Sequence, residues 1–174
     1  MKNWYKYTIA FLAVLVVRLI PFRAPNLEPM MATIMPLGKK YGVLMSFFFG
    51  FLSIVIYDSV TSGWGIWTLI TGLSYGLVGI GSSFYFKNRS GWKNYALYAI
   101  VATIIYDVIT GLTIGPLFFH QPFIMSLVGQ IPFTALHLLG NVSFAIVLSP
   151  VIEKWLVKKV ALSVTSQKKI ILTS

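Results

Sequence analysis

Long apolar runs separated by short polar turns make up most of the chain. The runs cover residues 7–20, 30–37, 43–61, 66–86, 95–112 and 123–148. Because about 20 apolar residues form a helix that crosses the hydrocarbon core of a bilayer, the pattern predicts an all-α integral membrane protein with six transmembrane helices. The second run is short, and we expect it to cross as a tilted or broken helix packed against its neighbours. Pro132 is expected to interrupt the last run.

The distribution of charge gives the orientation of these helices. Lys and Arg cluster near the amino terminus, at 39–40, at 87–93 and after residue 153, whereas the turns at 62–65 and 113–122 contain neither. The positive-inside rule then places both termini in the cytoplasm. The net charge of +10 therefore marks cytoplasmic loops, and we expect no nucleic-acid partner. Residues 1–157 are predicted to form the membrane domain and 158–174 a basic cytoplasmic tail.

Two similar segments each place an aspartate at the outer end of a predicted span. Tyr57-Asp58 and a following threonine are repeated, 49 residues later, as Tyr106-Asp107 and a following threonine. Each aspartate lies near a helix carboxyl end, where the helix dipole disfavours an anion. Each is therefore expected to need a cation or a proton, and Arg18 and Arg23 are the outer-side cations that can serve.

Polar and aromatic residues at the outer end of the bundle are the candidate substrate-binding residues. A charged side chain inside a membrane costs a few kcal/mol unless it is paired or faces water, so such residues are functional candidates. The candidates are Arg18, Arg23, Asn26, Glu28, Asp58, Trp64, Trp67, Tyr75, Asp107, Gln121, Gln130, His137 and Asn141.

Each candidate also has a structural alternative. These are turn hydrogen bonds or ion pairs for the aspartates, snorkelling for Arg18, and helix capping for the residues just before Met30. The tryptophans fit an interfacial aromatic belt, and His137 with Asn141, on one helix face, fits an interhelical hydrogen-bond pair. The glycines of the fourth run are expected to allow close helix packing.

In the binding interpretation, the aromatic candidates hold a ring and the polar ones orient it. Trp64, Trp67 and Tyr75 are expected to stack on a planar heteroaromatic ligand. The amide side chains and Glu28 supply hydrogen bonds, and Arg18 or Arg23 meets a carboxylate or phosphate.

Catalytic and cofactor motifs are missing from the sequence. The chain has no cysteine, no histidine–glutamate cluster at metal-ligand spacing, no phosphate-binding glycine loop and no nucleophile elbow. We therefore expect no enzyme activity, no cofactor, no metal site and no catalytic residue. Without a nucleotide site of its own, the chain would pump only with a partner that hydrolyses ATP.

The plan of the chain resembles the substrate-binding S components of energy-coupling factor (ECF) transporters. The resemblance spans residues 5–157 and rests on six short spans, on the short second segment after Arg23-Ala-Pro-Asn-Leu-Glu-Pro, and on Pro132-Phe-Thr-Ala-Leu-His-Leu-Leu-Gly-Asn141 followed by Ser149-Pro150. It implies capture of a vitamin or related micronutrient at the plasma membrane of a prokaryote. It also implies two kinds of partner, a membrane coupling (T) subunit and two ATPase subunits. The family's Ala-x-x-x-Ala docking face is only approximated by Ala10 and Ala13.

Two other functions fit the same sequence. One is a membrane scaffold or morphogenesis protein that binds no ligand. The other is a stand-alone, proton-coupled carrier in which Asp58 or Asp107 takes up and releases protons.

Overall fold

The computed structural model describes residues 4–21 and 28–157. Arg23, Asn26 and the tail at 158–174, for which the sequence made predictions, lie outside the described residues. The described chain forms six α-helices and one turn of π-helix, with these bounds: α1 Trp4–Arg18, α2 Met30–Tyr41, α3 Val43–Val60, α4 Ile66–Tyr85, α5 Trp92–Gly111, the π-turn Ile114–Phe118, and α6 Phe123–Val157.

The helices are typical of a membrane protein. Three segments are long and apolar enough to cross a bilayer, Val43–Val60, Trp92–Phe118 and Phe123–Leu156, with mean hydropathies of 1.9, 1.9 and 1.8. Their outward faces carry large apolar side chains such as Leu44 and Val147, which are 66% and 70% exposed. Such faces need lipid or another apolar partner around them. The prediction of an all-helical membrane protein is confirmed at this level.

Successive helices run in opposite directions, so the bundle has two distinct ends. The polar end is where α1 and α3 finish and α2 and α4 begin, around Arg18, Glu28 and Asp58. The basic end is the opposite one, where Lys39 of α2 meets Glu153 of α6.

Helix α2 is the buried centre of the bundle. All of its residues except Lys39 and Lys40 are buried, and it packs against α3, α4 and α6. Its 12 residues span about 18 Å at 1.5 Å per residue, well short of the roughly 30 Å hydrocarbon core. The prediction of a short second helix packed against its neighbours is confirmed. The helix ends at Tyr41, four residues later than the predicted end at residue 37.

A serine of α6 supplies a hydrogen bond that the backbone of α2 lacks. Pro36 has no N–H, so the carbonyl of Ala32, four residues earlier, loses its partner inside the helix. The hydroxyl of Ser149 donates a hydrogen bond to this carbonyl at 2.8 Å. Ser149 is fully buried, so the bond compensates for a backbone acceptor that water does not reach.

Replacing Ser149 with alanine is therefore expected to lower the free energy of unfolding by about 1–3 kcal/mol, the cost of a buried unsatisfied acceptor. The measurement is an SDS-unfolding titration in mixed micelles. Ser53→Ala is the matched control, since the buried Ser53 hydroxyl donates at 2.6 Å to a carbonyl of its own helix, that of Phe49. Pro36→Ala, which supplies an N–H to Ala32, should restore most of the loss in the Ser149→Ala background. A double variant no more stable than Ser149→Ala contradicts the assignment.

Glycines bring α3 and α4 into backbone contact. A Cβ on Gly50 of α3 would lie 2.5 Å from the carbonyl oxygen of Tyr75, and one on Gly76 of α4 would lie 2.5 Å from the Phe47 ring. A Cβ on Gly79 would meet the backbone of Ser46. The predicted role of the fourth-run glycines in close helix packing is confirmed.

Helix α6 is longer and more regular than the sequence pattern predicts. It runs unbroken for 35 residues and contains both Pro132 and Pro150. The prediction that Pro132 interrupts it is wrong, because in an apolar helix neighbouring groups can compensate for one missing hydrogen bond. Its last turns, from Glu153 to Val157, are regular helix up to the end of the described residues.

Glu153 holds the basic end of the bundle together. Its Oε1 lies 2.6 Å from Lys39 Nζ and accepts a hydrogen bond from Ser90 at 2.8 Å, while Oε2 accepts one from Tyr95 at 2.9 Å. The four residues belong to α2, the turn before α5, α5 itself and α6. Nearby, Lys6 of α1 donates to the carbonyls of Trp155 and Leu156, the latter at 3.3 Å.

Candidate functional site

A buried ion pair lies at the polar end between α1 and the start of α2. Arg18 Nη1 is 2.9 Å from Glu28 Oε2, and both residues are less than a tenth exposed. The Tyr75 hydroxyl donates to Glu28 Oε1 at 3.2 Å, and the Arg18 guanidinium lies 4.5 Å from the centre of the Tyr57 ring. Snorkelling of Arg18 toward headgroups is therefore wrong, because its charge points inward to Glu28.

Asp58 stabilises the turn between α3 and α4. Its Oδ2 accepts a hydrogen bond from the Thr68 hydroxyl at 2.5 Å, and the same Thr68 oxygen accepts the N–H of Gly65 at 3.2 Å. The Asp58 carbonyl accepts the N–H of Gly63 at 2.8 Å. No described Lys, Arg or His lies within 4 Å of the Asp58 carboxylate. Arg18, one of the two cations that could have served Asp58, pairs with Glu28 instead, and the turn-bonding alternative fits.

Asp107 is paired with a histidine of α6. His137 Nδ1 and Asp107 Oδ1 are 2.7 Å apart, and both residues are at most 3% exposed. Arg18 and Arg23 were the cations that could have served Asp107, and the sequence pattern does not pair it with a residue 30 positions away. Pairing with a group that can carry a proton still meets the expectation that Asp107 needs a cation or a proton.

One helical turn away, a second polar pair joins the same two helices. Asn141 Nδ2 donates to the Thr103 hydroxyl at 2.9 Å, and both residues are fully buried. His137 and Asn141 thus share a face of α6, as predicted, and each makes an interhelical hydrogen bond. We call Thr103, Asp107, His137 and Asn141 the α5–α6 seam.

Tyr106 connects the ion pair to the seam. Its ring centre is 4.4 Å from that of Tyr75 and 5.8 Å from that of His137. We call Arg18, Glu28, Tyr75, Tyr106, Asp107 and His137 the buried polar cluster. Tyr106 was not among the candidates; its place beside Asp107 in the repeated Tyr-Asp pair was the available clue.

Two oxygens of the seam have no hydrogen-bond partner among the described residues. They are Asp107 Oδ2 and Asn141 Oδ1, and both are closed off from solvent. An unpaired buried acceptor costs on the order of 1–3 kcal/mol, and more when it is charged. The seam can therefore accept hydrogen bonds that the described chain does not supply.

The three aromatic candidates have different surroundings. Trp64 is 71% exposed, and its ring N–H donates to Ser59 at 2.7 Å. Trp67 stacks on Phe119 with ring centres 6.3 Å apart. Tyr75 is 1% exposed, inside the polar cluster. In the described part of the chain, no two of these three rings are in contact. Tyr75 is the one that hydrogen-bonds to a charged candidate, Glu28.

The two glutamine candidates lie beyond the seam toward the start of α6. Gln121 is exposed in the turn after the π-helix. Gln130 is half-buried, donates to Thr134 at 3.1 Å, and packs its amide against Gly111 of α5. The described residues contain no group of three or more His, Asp or Glu side chains that could hold a metal ion.

Comparison of the chain with known protein families, with curated proteins and with solved structures finds no match.

Proposed function

We propose that the chain is the membrane substrate-capture subunit of an ATP-driven importer of the ECF type. In this proposal it crosses the plasma membrane of a prokaryote six times with both termini in the cytoplasm. It binds a vitamin or related micronutrient at the polar end, which faces outward, and releases it inward with a coupling subunit and two ATPase subunits.

The buried polar cluster is the observation that carries this proposal. One arginine, two carboxylates, a histidine and two tyrosines are buried together in a helical membrane protein. Charged groups at such depth are costly and typically serve substrate or ion sites. A cluster that served packing alone would satisfy its own hydrogen bonds. Asp107 Oδ2 of this cluster is unsatisfied among the described residues, and so is Asn141 Oδ1 of the adjoining seam.

An apolar crevice beside α1 supports the proposed membrane partner. It has a volume of about 530 Å³ and is lined by Ala10, Ala13 and Val14 of α1 and by Phe144 and Leu148 of α6, with no polar surface. Small side chains let a second helix approach closely inside a membrane. A coupling subunit that docks on α1 would cover this crevice.

Native mass spectrometry of the detergent-purified protein, expressed in rich medium, tests the capture function. We expect a bound molecule of vitamin size whose affinity falls about two- to tenfold in Tyr106→Leu, because an aromatic contact contributes about 0.5–1.5 kcal/mol beyond its buried area. Tyr85→Leu is the matched control, since this tyrosine lies at the basic end. A clean apoprotein that also shows no thermal shift with a vitamin panel would favour a scaffold that binds no ligand.

The Asp107–His137 pair favours a second candidate, the proton-coupled carrier. A buried carboxylate 2.7 Å from an imidazole can exchange a proton as its surroundings change. The two candidates differ in energy source. Uptake in the carrier collapses with the proton gradient, whereas uptake in the ECF-type importer requires ATP hydrolysis by its partners.

A further inference from the structure

We propose that the α5–α6 seam binds an amino or amidino nitrogen of a small molecule, with Asp107 and Asn141 accepting its hydrogen bonds. This inference rests on the proposed capture function and specifies the chemical class of the captured molecule.

The seam is a built site on two facing helices. Asp107 of α5 meets His137 of α6 at 2.7 Å, and Thr103 of α5 meets Asn141 of α6 at 2.9 Å. Each helix contributes residues four positions apart, which lie on one face with about 5–6 Å between their Cβ atoms. The four side chains are at most 3% exposed.

Both unsatisfied atoms of the seam are hydrogen-bond acceptors. Asp107 uses Oδ1 for His137, and Asn141 uses Nδ2 for Thr103, so Asp107 Oδ2 and Asn141 Oδ1 remain without a donor among the described residues. Two such acceptors on one seam call for a molecule that supplies two donors. Amino, amidino and guanidino groups present several N–H donors from one nitrogen centre or plane.

The described charges around the seam disfavour an anionic group at this position. The described carboxylates at the polar end are Glu28, Asp58 and Asp107, while Arg18 is engaged with Glu28 at 2.9 Å. A carboxylate or phosphate placed against Asp107 would meet like charge in a site of low dielectric. A protonated nitrogen in the same position would instead be attracted to the Asp107 carboxylate. This assignment is an alternative to the expectation that Arg18 or Arg23 meets a ligand carboxylate or phosphate.

Aromatic edges flank the seam and suit a planar nitrogen group. The rings of Tyr106 and Phe133 pack edge-on against His137, with centres 5.8 Å and 5.6 Å away. Tyr106 in turn contacts Tyr75. A flat amidine or amino-substituted ring fits beside these rings more readily than a tetrahedral anion does.

Three probes of equal shape test the assignment: benzamidine, benzamide and benzoate, titrated by calorimetry into the full-length protein in detergent at pH 7. We expect benzamidine to bind at least about tenfold more tightly than benzoate, with benzamide between them, since hydrogen bonds to a charged group are stronger than those between neutral groups. Asp107→Asn and Asn141→Leu should each reduce benzamidine binding about tenfold or more. Thr110→Val is the matched control, because this hydroxyl donates to the Tyr106 carbonyl of its own helix.

The comparison of the three probes on the unmodified protein needs no variant, so a variant that fails to fold leaves the test intact. Benzoate binding as tightly as benzamidine, no binding of any probe, or benzamidine binding unchanged in both seam variants would overturn the assignment. A co-purified molecule that is anionic and insensitive to Asp107→Asn would overturn it while leaving the capture function standing. An apoprotein that binds neither the probes nor a vitamin would overturn both the seam assignment and the proposed capture function.

Discussion

The Glu28→Leu variant is expected to unfold with a free energy about 3–5 kcal/mol lower than that of the unmodified protein. Arg18 would then keep a charge that is only 7% exposed without the carboxylate that now lies 2.9 Å away. The Tyr75 hydroxyl would also lose its acceptor. Tryptophan fluorescence during SDS unfolding in mixed micelles measures the loss.

The sharpest control is the removal of both charges. Arg18→Met combined with Glu28→Leu should recover most of the stability, because a buried ion pair often contributes little more than an apolar pair of similar volume. Arg89→Met is the surface control, since this arginine is exposed at the basic end and lies over the Tyr85 ring. If the double variant is as unstable as Glu28→Leu, the uncompensated charge of Arg18 is not the cause.

Gly50→Ala is expected to destabilise the bundle by about 2–3 kcal/mol through overpacking. Its new Cβ would lie 2.5 Å from the Tyr75 carbonyl oxygen and 2.7 Å from the Tyr75 carbonyl carbon. These are backbone atoms, so no rotamer change relieves the clash and α3 must move away from α4. Because Tyr75 belongs to the buried polar cluster, the same movement should weaken binding of the co-purified molecule.

Gly129→Ala provides a control of opposite sign. A Cβ at this position in α6 meets no atom within 4 Å. Alanine has a higher helix propensity than glycine, so this variant should be unchanged or stabilised by up to about 1 kcal/mol. SDS-unfolding titrations of the two variants are compared directly. Equal stability of the two would mean that the α3–α4 contact is looser than the glycine geometry implies.

The helix bounds were accessible from sequence because polar and glycine-rich turns mark them. The third and fourth runs were expected at 43–61 and 66–86, and α3 and α4 occupy Val43–Val60 and Ile66–Tyr85. Proline was the misleading residue. In α6, Pro132 leaves the helix unbroken, since loss of one N–H does not end a helix whose other backbone groups have no water to bond to.

The partners within the site were not accessible from sequence. The need of Asp107 for a proton or cation followed from its position, but its pairing with His137 depends on how α5 and α6 are rotated about their axes. Apolar residues cover nearly every face of both helices, so the sequence pattern does not set that rotation. From the sequence alone, Arg18 could likewise pair with any of three carboxylates. The structure shows that its partner is Glu28, just before α2.

The burial of α2 has a consequence for the synthesis of the protein. Its packing partners α3, α4 and α6 all follow it in the chain, and Ser149, which completes its backbone hydrogen bonding, is made more than one hundred residues later. A nascent chain that has released only α1 and α2 therefore offers α2 none of these contacts, and its Ala32 carbonyl has no donor. We therefore expect α2 to reach its final packing only after α3, α4 and α6 have been made, so the second helix in the chain is among the last to be fully packed.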